Sequence, residues 1–527
     1  MAVSLDVPVT EVSGAAPSPP AAAAPTLAAA TRRLLEAPIA VTLLRLAAPN
    51  IVIIAVQAAL NVLEAVYIGW LGRDALAGVA LVFPLIMLMQ TMSAGGMGGG
   101  VASAIARALG AGRRRDANAL VVHAIVIALV FGSAFSVGML TAGPRLYRAM
   151  GGTDGALGAA LTYSNVVFAG AIAFWMFNTL GAALRGAGNM LLPALVVVGG
   201  GPLVIALSPA LIWGWGPFPQ LGIAGAGIAL LTYYTLGSVV LAVALWSGRS
   251  LVRLSVRGVC LRVRLFRDIL RVGLPGALNT VQTNLTVVVL TGLVGGFGTV
   301  ALAGYGIGAR LEYLQIPLVF GLGSALVTMV GTNIGAGQRA RAVRVALVGG
   351  AMAFVLTEMI GLTAALLPGA WMGLFTRDPD VVAAGTAYLR VVGPSYGFFG
   401  LGLALYFASQ GAGRLLWPLV AGFMRLTLAA LGGWVVVHWL GGGLTGLSVV
   451  IALAFVLFGV TLVSAVRGGA WRRSSFARMK GTQHGENDRT HPDADAGRDG
   501  AAADRDADRL HPRIGGARSR GHRVRGR

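Results

Sequence analysis

Four polar residues share one face of an otherwise apolar stretch, LAAPNIVIIAVQAALNVLEAVYIGWL, which runs from Leu46 to Leu71. Asn50, Gln57, Asn61 and Glu64 are spaced 7, 4 and 3 apart, and helical periodicity lines up such positions. The stretch is long enough to cross a bilayer as a helix. An ionised carboxylate in hydrocarbon is costly, so Glu64 is expected to face a bundle interior or a water-filled cavity. Pro49 precedes the stripe and removes a backbone hydrogen bond, which invites a bend. A polar stripe that ends in an acid on a bendable membrane helix can hold a proton or a cation. Glu64 is the candidate coupling residue, with Gln57 and Asn61 beside it. The plainer reading is a carboxylate held by a structural hydrogen bond to a neighbouring helix.

Other polar or soft residues fall inside apolar segments. Asn50, Met87, Gln90, Gln282, Thr283, Asn284, Arg310, Glu312 and Gln315 are the candidates for lining a substrate cavity. Arg310 and Glu312 are two apart on a helix and do not face each other, whereas Glu312 and Gln315 share a face. Glu312 reads equally as a lock between helices or a cavity residue. Glu358 reads as paired with a neighbouring helix, and His123 and His438 as satisfied structural histidines. Cys260 is the only cysteine, so neither an intrachain disulfide nor a thiolate metal cluster can form. No Walker loop, HExxH or GxSxG occurs. We expect no metal, no cofactor and no enzymatic activity.

Many membrane helices must position these residues. Of 527 residues, 56% are hydrophobic and 12% charged, and the mean hydropathy is +0.76. Soluble domains carry about twice that charge fraction. The 77 glycines suit close helix packing in lipid. The net charge of +21 sits in loops and the tail, which argues against a nucleic-acid surface. Hydropathy and breaks predict an all-α membrane protein with twelve spans, at 40–71, 75–109, 117–142, 156–184, 190–214, 222–247, 266–296, 300–334, 342–367, 381–409, 415–440 and 443–467.

Arg32, Arg33, Arg113–Arg115, Arg185, the arginines of 248–268, Arg339, Arg341, Arg344 and Arg414 fall on one side of these spans. Arg73, Arg145, Arg148 and Arg377 fall on the other. By the positive-inside rule both termini are cytoplasmic. The 248–268 segment, with arginines among apolar residues, reads as an amphipathic stretch on the inner leaflet. Residues 1–37 read as a disordered lead-in rather than a cleaved signal, and 468–527 as a disordered tail. The domains are then an N-lobe at 38–247, a linker at 248–265 and a C-lobe at 266–467. The Ala/Gly/Arg bias reads as a GC-rich, bacterial coding sequence, and the resemblance given below implies a bacterial inner membrane.

The two halves match each other. LLRLAAPN (43–50) parallels ILRVGLPG (269–276), and WLGRDALAGVA (70–80) parallels GFGTVALAGYG (296–306), both 226 residues on. GMGGGVASAIARALGAGR (96–113) parallels GLGSALVTMVGTNIGAGQ (321–338), and RGAGNMLLP (185–193) parallels QGAGRLLWP (410–418), both 225 residues on. Six spans return the chain to its starting side, so the two six-helix lobes should be related by a pseudo-two-fold along the membrane normal. Transporters built on such repeats bind substrate between the halves and expose it to each side in turn.

The sequence resembles the MATE family, the multidrug and toxic compound extrusion transporters, over about residues 38–467. The resemblance rests on the acid-bearing first span with its glycine-rich exit (EAVYIGWLG), on ALGAGRRRDA leaving the second span, on the run from Asn178 to Gly188, and on the repeated GAG and LAG blocks. The run AGYGIGARLEYLQIPLVFGLGSALVTMVGTNIGAGQ looks closest to the bacterial DinF-like branch. The resemblance implies a cation-driven antiporter that exports amphipathic, often cationic, compounds from two lobes around a central cavity. It puts the family's coupling acid at Glu64 and its fourth-span asparagine at Asn178. Acids that other members carry fall on Ser208, Thr283 and Phe399, where none stands. A lone carboxylate needs one proton, whereas sodium needs several oxygen ligands, so the expectation is H+ rather than Na+ coupling in a monomer. Two other readings are kept: a flippase for lipid-linked precursors, of related fold, and a non-transporting membrane receptor or scaffold.

Overall fold

The computed structural model describes residues 23–471, apart from 249 and 256–259. Every regular element among the described residues is a helix. Eleven continuous helices are long and apolar enough to cross a membrane, and a bent pair, Asp154–Ala169 with Ala171–Gly186, completes twelve. The pair turns by 49° at Gly170, where the Leu231 side chain occupies the space a side chain would need. The tenth span breaks in the equivalent place, at a short 3-10 turn over Gly393–Ser395 before it resumes at Tyr396. The second and eighth spans run the length of Arg73–Gly110 and Thr299–Gly335, longer than a bilayer needs.

Two expectations are corrected. The lead-in 1–37 contains a helix, Ala23–Glu36, whose Leu34 is buried in the C-lobe core. The Asn333 amide donates to the Leu34 carbonyl at 3.2 Å, and Arg341 donates to the Ala37 carbonyl at 2.5 Å. The linker, expected as an amphipathic stretch on the inner leaflet, instead buries Val252 and Leu254 in the N-lobe core. The third span holds it: Asn118 accepts from the Arg253 N–H and His123 from the Arg262 N–H, each at 2.8 Å. The expected tail from residue 472 onward lies outside the described residues, as do residues 1–22.

The repeat is visible in the packing. The first span packs on the eighth, and the seventh packs on the second, the exchange a two-fold requires. Both leading spans cross between lobes. Leu43 and Ala47 enter the C-lobe core beside Leu322, Leu326 and Met329. Ile269, the repeat-mate of Leu43, enters the N-lobe core with Leu265 and Val272. The far ends return home, Ile68 to the N-lobe core and Leu290 and Val294 to the C-lobe core.

The lobes touch through glycine at the arginine-rich end. A Cβ on Gly110 would collide with the Thr332 carbonyl, and one on Gly335 with the Arg107 carbonyl. These four residues form two repeat-mate pairs, so one contact occurs twice. A Cβ on Gly96 would stand 2.7 Å from the Ala277 nitrogen. The close approach lets side chains reach across. Asn50 donates to Ser324 at 2.7 Å, Gln410 to the Gly95 carbonyl at 3.1 Å, Thr328 to the Arg185 carbonyl at 2.8 Å, and Arg107 to the Gly411 carbonyl at 3.2 Å. Every one lies in the half of the molecule that carries the arginine-rich loops. Among the described residues no hydrogen bond crosses between the lobes in the opposite half. The hydrogen bonds between the lobes are thus gathered at one end.

Candidate functional site

Glu64 stands past the midpoint of the first span, in the half away from the arginine-rich loops, and is half-buried against the N-lobe. The Tyr163 hydroxyl donates to its Oε1 at 2.8 Å. Tyr163 is 2% exposed and comes from the fourth span, just before the Gly170 break. An aromatic cluster of Phe174, Phe177, Tyr233 and Tyr234 packs behind, with Phe174 edge-on to Tyr234 at 4.5 Å. No basic side chain acts on Glu64.

The C-lobe holds a second pair. The Tyr388 hydroxyl donates to Glu312 Oε1. Tyr388 lies 225 residues after Tyr163 and is its repeat-mate, fully buried in the tenth span. The two carboxylates are not repeat-mates. The counterpart of Glu64 is Leu290, and the counterpart of Glu312 is Met87. Equivalent tyrosines are therefore approached by an acid from the first span in one lobe and from the eighth span in the other.

Arg425 is a cation enclosed in the same lobe. It lies within the eleventh span, 6% exposed. Its guanidinium donates to Thr283 Oγ1 at 3.3 Å and lies over the Phe458 and Phe399 rings, at 5.0 and 5.8 Å. Among the described residues no ion pair joins Arg425 to Glu312. A cation held over aromatic faces gains from the ring quadrupole. The repeat-mate of Arg425 is Gly200, which has no side chain and leaves its space to the Tyr233 ring.

The remaining predicted residues scatter. Asn50 is buried and serves the lobe contact with Ser324. Gln57 is half-buried and Asn61 exposed, with no hydrogen bond from either to Glu64. Asn178 does not join Glu64: it donates to Ser93 Oγ at 3.1 Å and to its own helix at Phe174. Ser93 belongs to a π-helical stretch, Thr91–Met97, in the second span where the seventh packs. Met87 and Gln90 are half-buried on that span. Gln282 is buried with its amide against Gly422, and Gln315 is fully buried; neither amide has a hydrogen-bond partner among the described residues. Asn284 is exposed and bonds its own helix at Thr280. Arg310 does not enter the interior either; it is exposed and sits over Phe375 at 5.0 Å. Glu358 accepts from the Gly397 N–H at 2.7 Å, a tie to the tenth span.

Three residues of the site escape a reading by spacing alone: Tyr163, Tyr388 and Arg425. The tyrosines could have been found by carrying the 225-residue register into the fourth and tenth spans. Arg425 is a charge within an apolar span, and the rule that singles out Glu64 applies to it equally.

Two lobes of six helices, joined by hydrogen bonds at one end and each seating a half-buried acid on a buried tyrosine, define a repeat-built membrane transporter. The family model described as MatE matches residues 49–210 and again 275–435, so each lobe carries one copy and the copies start at Pro49 and Pro275. The chain belongs to the MATE family and is a multi-pass membrane transporter, not an enzyme. It is 27% identical over 439 residues to a protein named FAD transporter from Shewanella oneidensis, covering 81% of this chain and 94% of that one. It is 26% identical to the probable multidrug resistance protein NorM of Thermotoga maritima, covering 74% and 83%. Among solved structures, a MATE protein in its bent conformation superposes with a TM-score of 0.78 at 25% identity, covering 86% of this chain and 99% of that one. One described as the outward-facing conformation of a multidrug resistance MATE family transporter superposes at 0.75, also at 25% identity, covering 85% and 98%.

Proposed function

We propose that the chain is a proton-coupled antiporter that exports amphipathic, cationic compounds, with Glu64 as the coupling group. The observation that carries this reading is the setting of Glu64: one buried tyrosine donor and, among the described residues, no ion-pair partner. A carboxylate without a built-in cation has to take its positive charge from outside, as a proton or as a cationic cargo. Those two cannot both satisfy it at once, which is the coupling an antiporter needs. With Glu64 ionised a cationic compound is held; with Glu64 protonated the hold is released. Tyr163 keeps the side chain in one place through the exchange.

The arginine distribution adds direction. If the arginine-rich loops are cytoplasmic, the hydrogen bonds between the lobes lie on the inside, which suits an outward-facing state. In that state protons from outside reach Glu64 and cargo leaves. Return to the inward state requires the Gly110–Thr332 and Gly335–Arg107 contacts to part. Proton rather than sodium coupling is favoured by the donor set. Glu64 has one phenol beside it, and among the described residues no group of three or more His, Cys, Asp or Glu gathers as a metal site.

The test is efflux from proteoliposomes under an imposed pH gradient, an imposed sodium gradient, or neither. The cargo is a lipophilic cationic dye in one arm and FAD in the other, since one relative carries that name. The account expects dye efflux driven by the pH gradient alone. Efflux that follows the sodium gradient at constant pH would overturn the proton assignment, and transport of FAD with none of the dye would overturn the cargo class.

A further inference from the structure

The contacts between the lobes at the arginine-rich end break the repeat at one place, and the helix Ala23–Glu36, which lies outside the repeat, stands there. In the N-lobe, Arg107 near the end of the second span reaches across. Its guanidinium donates to the Gly411 carbonyl at 3.2 Å and lies against Gly413, where a Cβ would meet Nη1 at 3.0 Å. Gly413 is the left-handed residue, φ +71°, that ends the helical part of the tenth span before the eleventh. A strict two-fold would set a second arginine against Gly188, the counterpart of Gly413, which turns the fourth span into the fifth at φ +84°. The counterpart of Arg107 is Thr332. Its hydroxyl donates to the Thr328 carbonyl of its own helix at 2.9 Å, and its side chain is too short to cross as an arginine does.

Leu34 fills that place. A Cβ on Gly188 would meet Leu34 Cδ1 at 3.3 Å, and among the described residues no other atom comes as near to that position. Leu34 is buried, and the C-lobe holds its helix by the backbone. Asn333, the residue after Thr332, donates to the Leu34 carbonyl at 3.2 Å, and Arg341 donates to the Ala37 carbonyl at 2.5 Å. One contact between the lobes is thus made twice, once by an arginine of the repeat and once by a leucine from outside it.

We infer that the helix Ala23–Glu36 is a conformational latch: carried by the C-lobe, it sets Leu34 on the Gly188 turn of the N-lobe and so favours the state in which the lobes meet at the arginine-rich end. When the lobes part there, Leu34 loses the Gly188 turn and apolar surface returns to water, which costs free energy. A two-state equilibrium moves by the difference in contacts that its states make, so the helix biases the transporter without touching Glu64 or Tyr163. The inference stands apart from the coupling role of Glu64.

The test measures the distance between the lobes with neither gradient nor cargo, so its outcome is separate from that of the coupling reading. Nitroxide labels are attached to Arg114→Cys and Arg339→Cys, exposed repeat-mate positions that open the third and ninth spans. The chain is otherwise full-length, with Cys260→Ser, in lipid nanodiscs. Leu34→Ala, Leu34→Met, Arg107→Gln and removal of residues 1–36 are each added to this background. The unaltered background is expected to give mainly one short distance. Leu34→Ala and the shortened chain should gain a longer distance whose share rises several-fold, and Leu34→Met should keep the short one. Arg107→Gln should gain the same longer distance, because it opens the other copy of the contact. An unchanged distribution in Leu34→Ala would overturn the latch, whatever the shortened chain shows. If Leu34→Ala does not fold, Asn333→Ala decides in its place: it leaves Leu34 intact and cuts one tie of the helix to the C-lobe. It too should raise the longer distance, and the short distance alone would overturn the inference.

Discussion

The N-lobe and the C-lobe place repeat-mate tyrosines, Tyr163 and Tyr388, against half-buried acids, and then diverge. The N-lobe acid comes from the first span, a helix that crosses between lobes and carries Pro49. The C-lobe acid comes from the long eighth span, which packs on both its own lobe and the first span. Each acid accepts from one phenol, and the C-lobe alone also encloses a guanidinium, Arg425, held by Thr283 and two aromatic rings. Duplication supplied two copies of the helical frame, and the charged residues within it make the copies unequal.

The largest expected effect is at Glu64. Glu64→Gln should insert and fold, bind some substrates, and lose pH-driven export almost entirely, while Glu64→Asp keeps part of it. Dye efflux at matched protein levels in the membrane checks both. A Glu64→Gln variant that exports at the wild-type rate would make the two lobes equivalent after all.

The next effect falls on stability in the other lobe. Glu312→Gln turns the hydrogen bond from Tyr388 from a charge-assisted one into a neutral one, a loss of about 1 kcal/mol. Unfolding in detergent reads this directly, and a Glu312→Gln variant as stable as wild type would mean that the tyrosine contact carries no stability.

The tyrosines sharpen the comparison further. Tyr163→Phe and Tyr388→Phe each remove one buried donor to a carboxylate, worth about 1–3 kcal/mol. Only Tyr163→Phe should lower proton-driven efflux several-fold, because Tyr163 holds the coupling acid, Glu64, and Tyr388 does not. Equal losses of efflux from the two variants would argue that both lobes are coupled.

A smaller effect is expected at the contact between the lobes. Asn50→Ala removes the hydrogen bond to Ser324 between the first and eighth spans, worth about 1 kcal/mol. It should raise the labelling rate of a single cysteine placed at Gly188, facing Leu34 at the arginine-rich end, in a chain whose Cys260 has been replaced. The smallest is Arg310→Gln, which removes an exposed cation–π contact with Phe375 of about 0.5–1 kcal/mol and should leave efflux alone.

Much of the frame is legible in the sequence because two periodicities overlap there. Hydropathy marks spans within a few residues of the observed helices, as for 443–467 against Gly443–Arg467. The 225- and 226-residue registers mark the lobes. Glu64 is legible because hydrocarbon penalises charge, so a lone acid in a span stands out. Its partner is not: Tyr163 is 99 residues away, and spacing along one helix says nothing about which neighbouring helix faces it. The same limit misplaces the stripe. Asn50 and Glu64 share a face by periodicity, yet Pro49 and the crossing of the first span between lobes give them different neighbours, Ser324 and Tyr163. Arg310 and Arg425 look alike in composition, and only packing shows that the first is exposed and the second enclosed. The helix over Ala23–Glu36 is hidden because its sequence is Ala-rich, with Leu34 the one buried anchor among its described side chains.

The central claim is that one carboxylate, Glu64, trades a proton for cationic cargo. The most direct measurement is the proton released when a cationic dye is added to purified, detergent-solubilised protein in weak buffer with no gradient present. Wild-type protein is expected to release protons in proportion to dye bound, and Glu64→Gln to bind dye with no release. Proton release of wild-type size from Glu64→Gln would contradict the account and move the exchange elsewhere in the bundle.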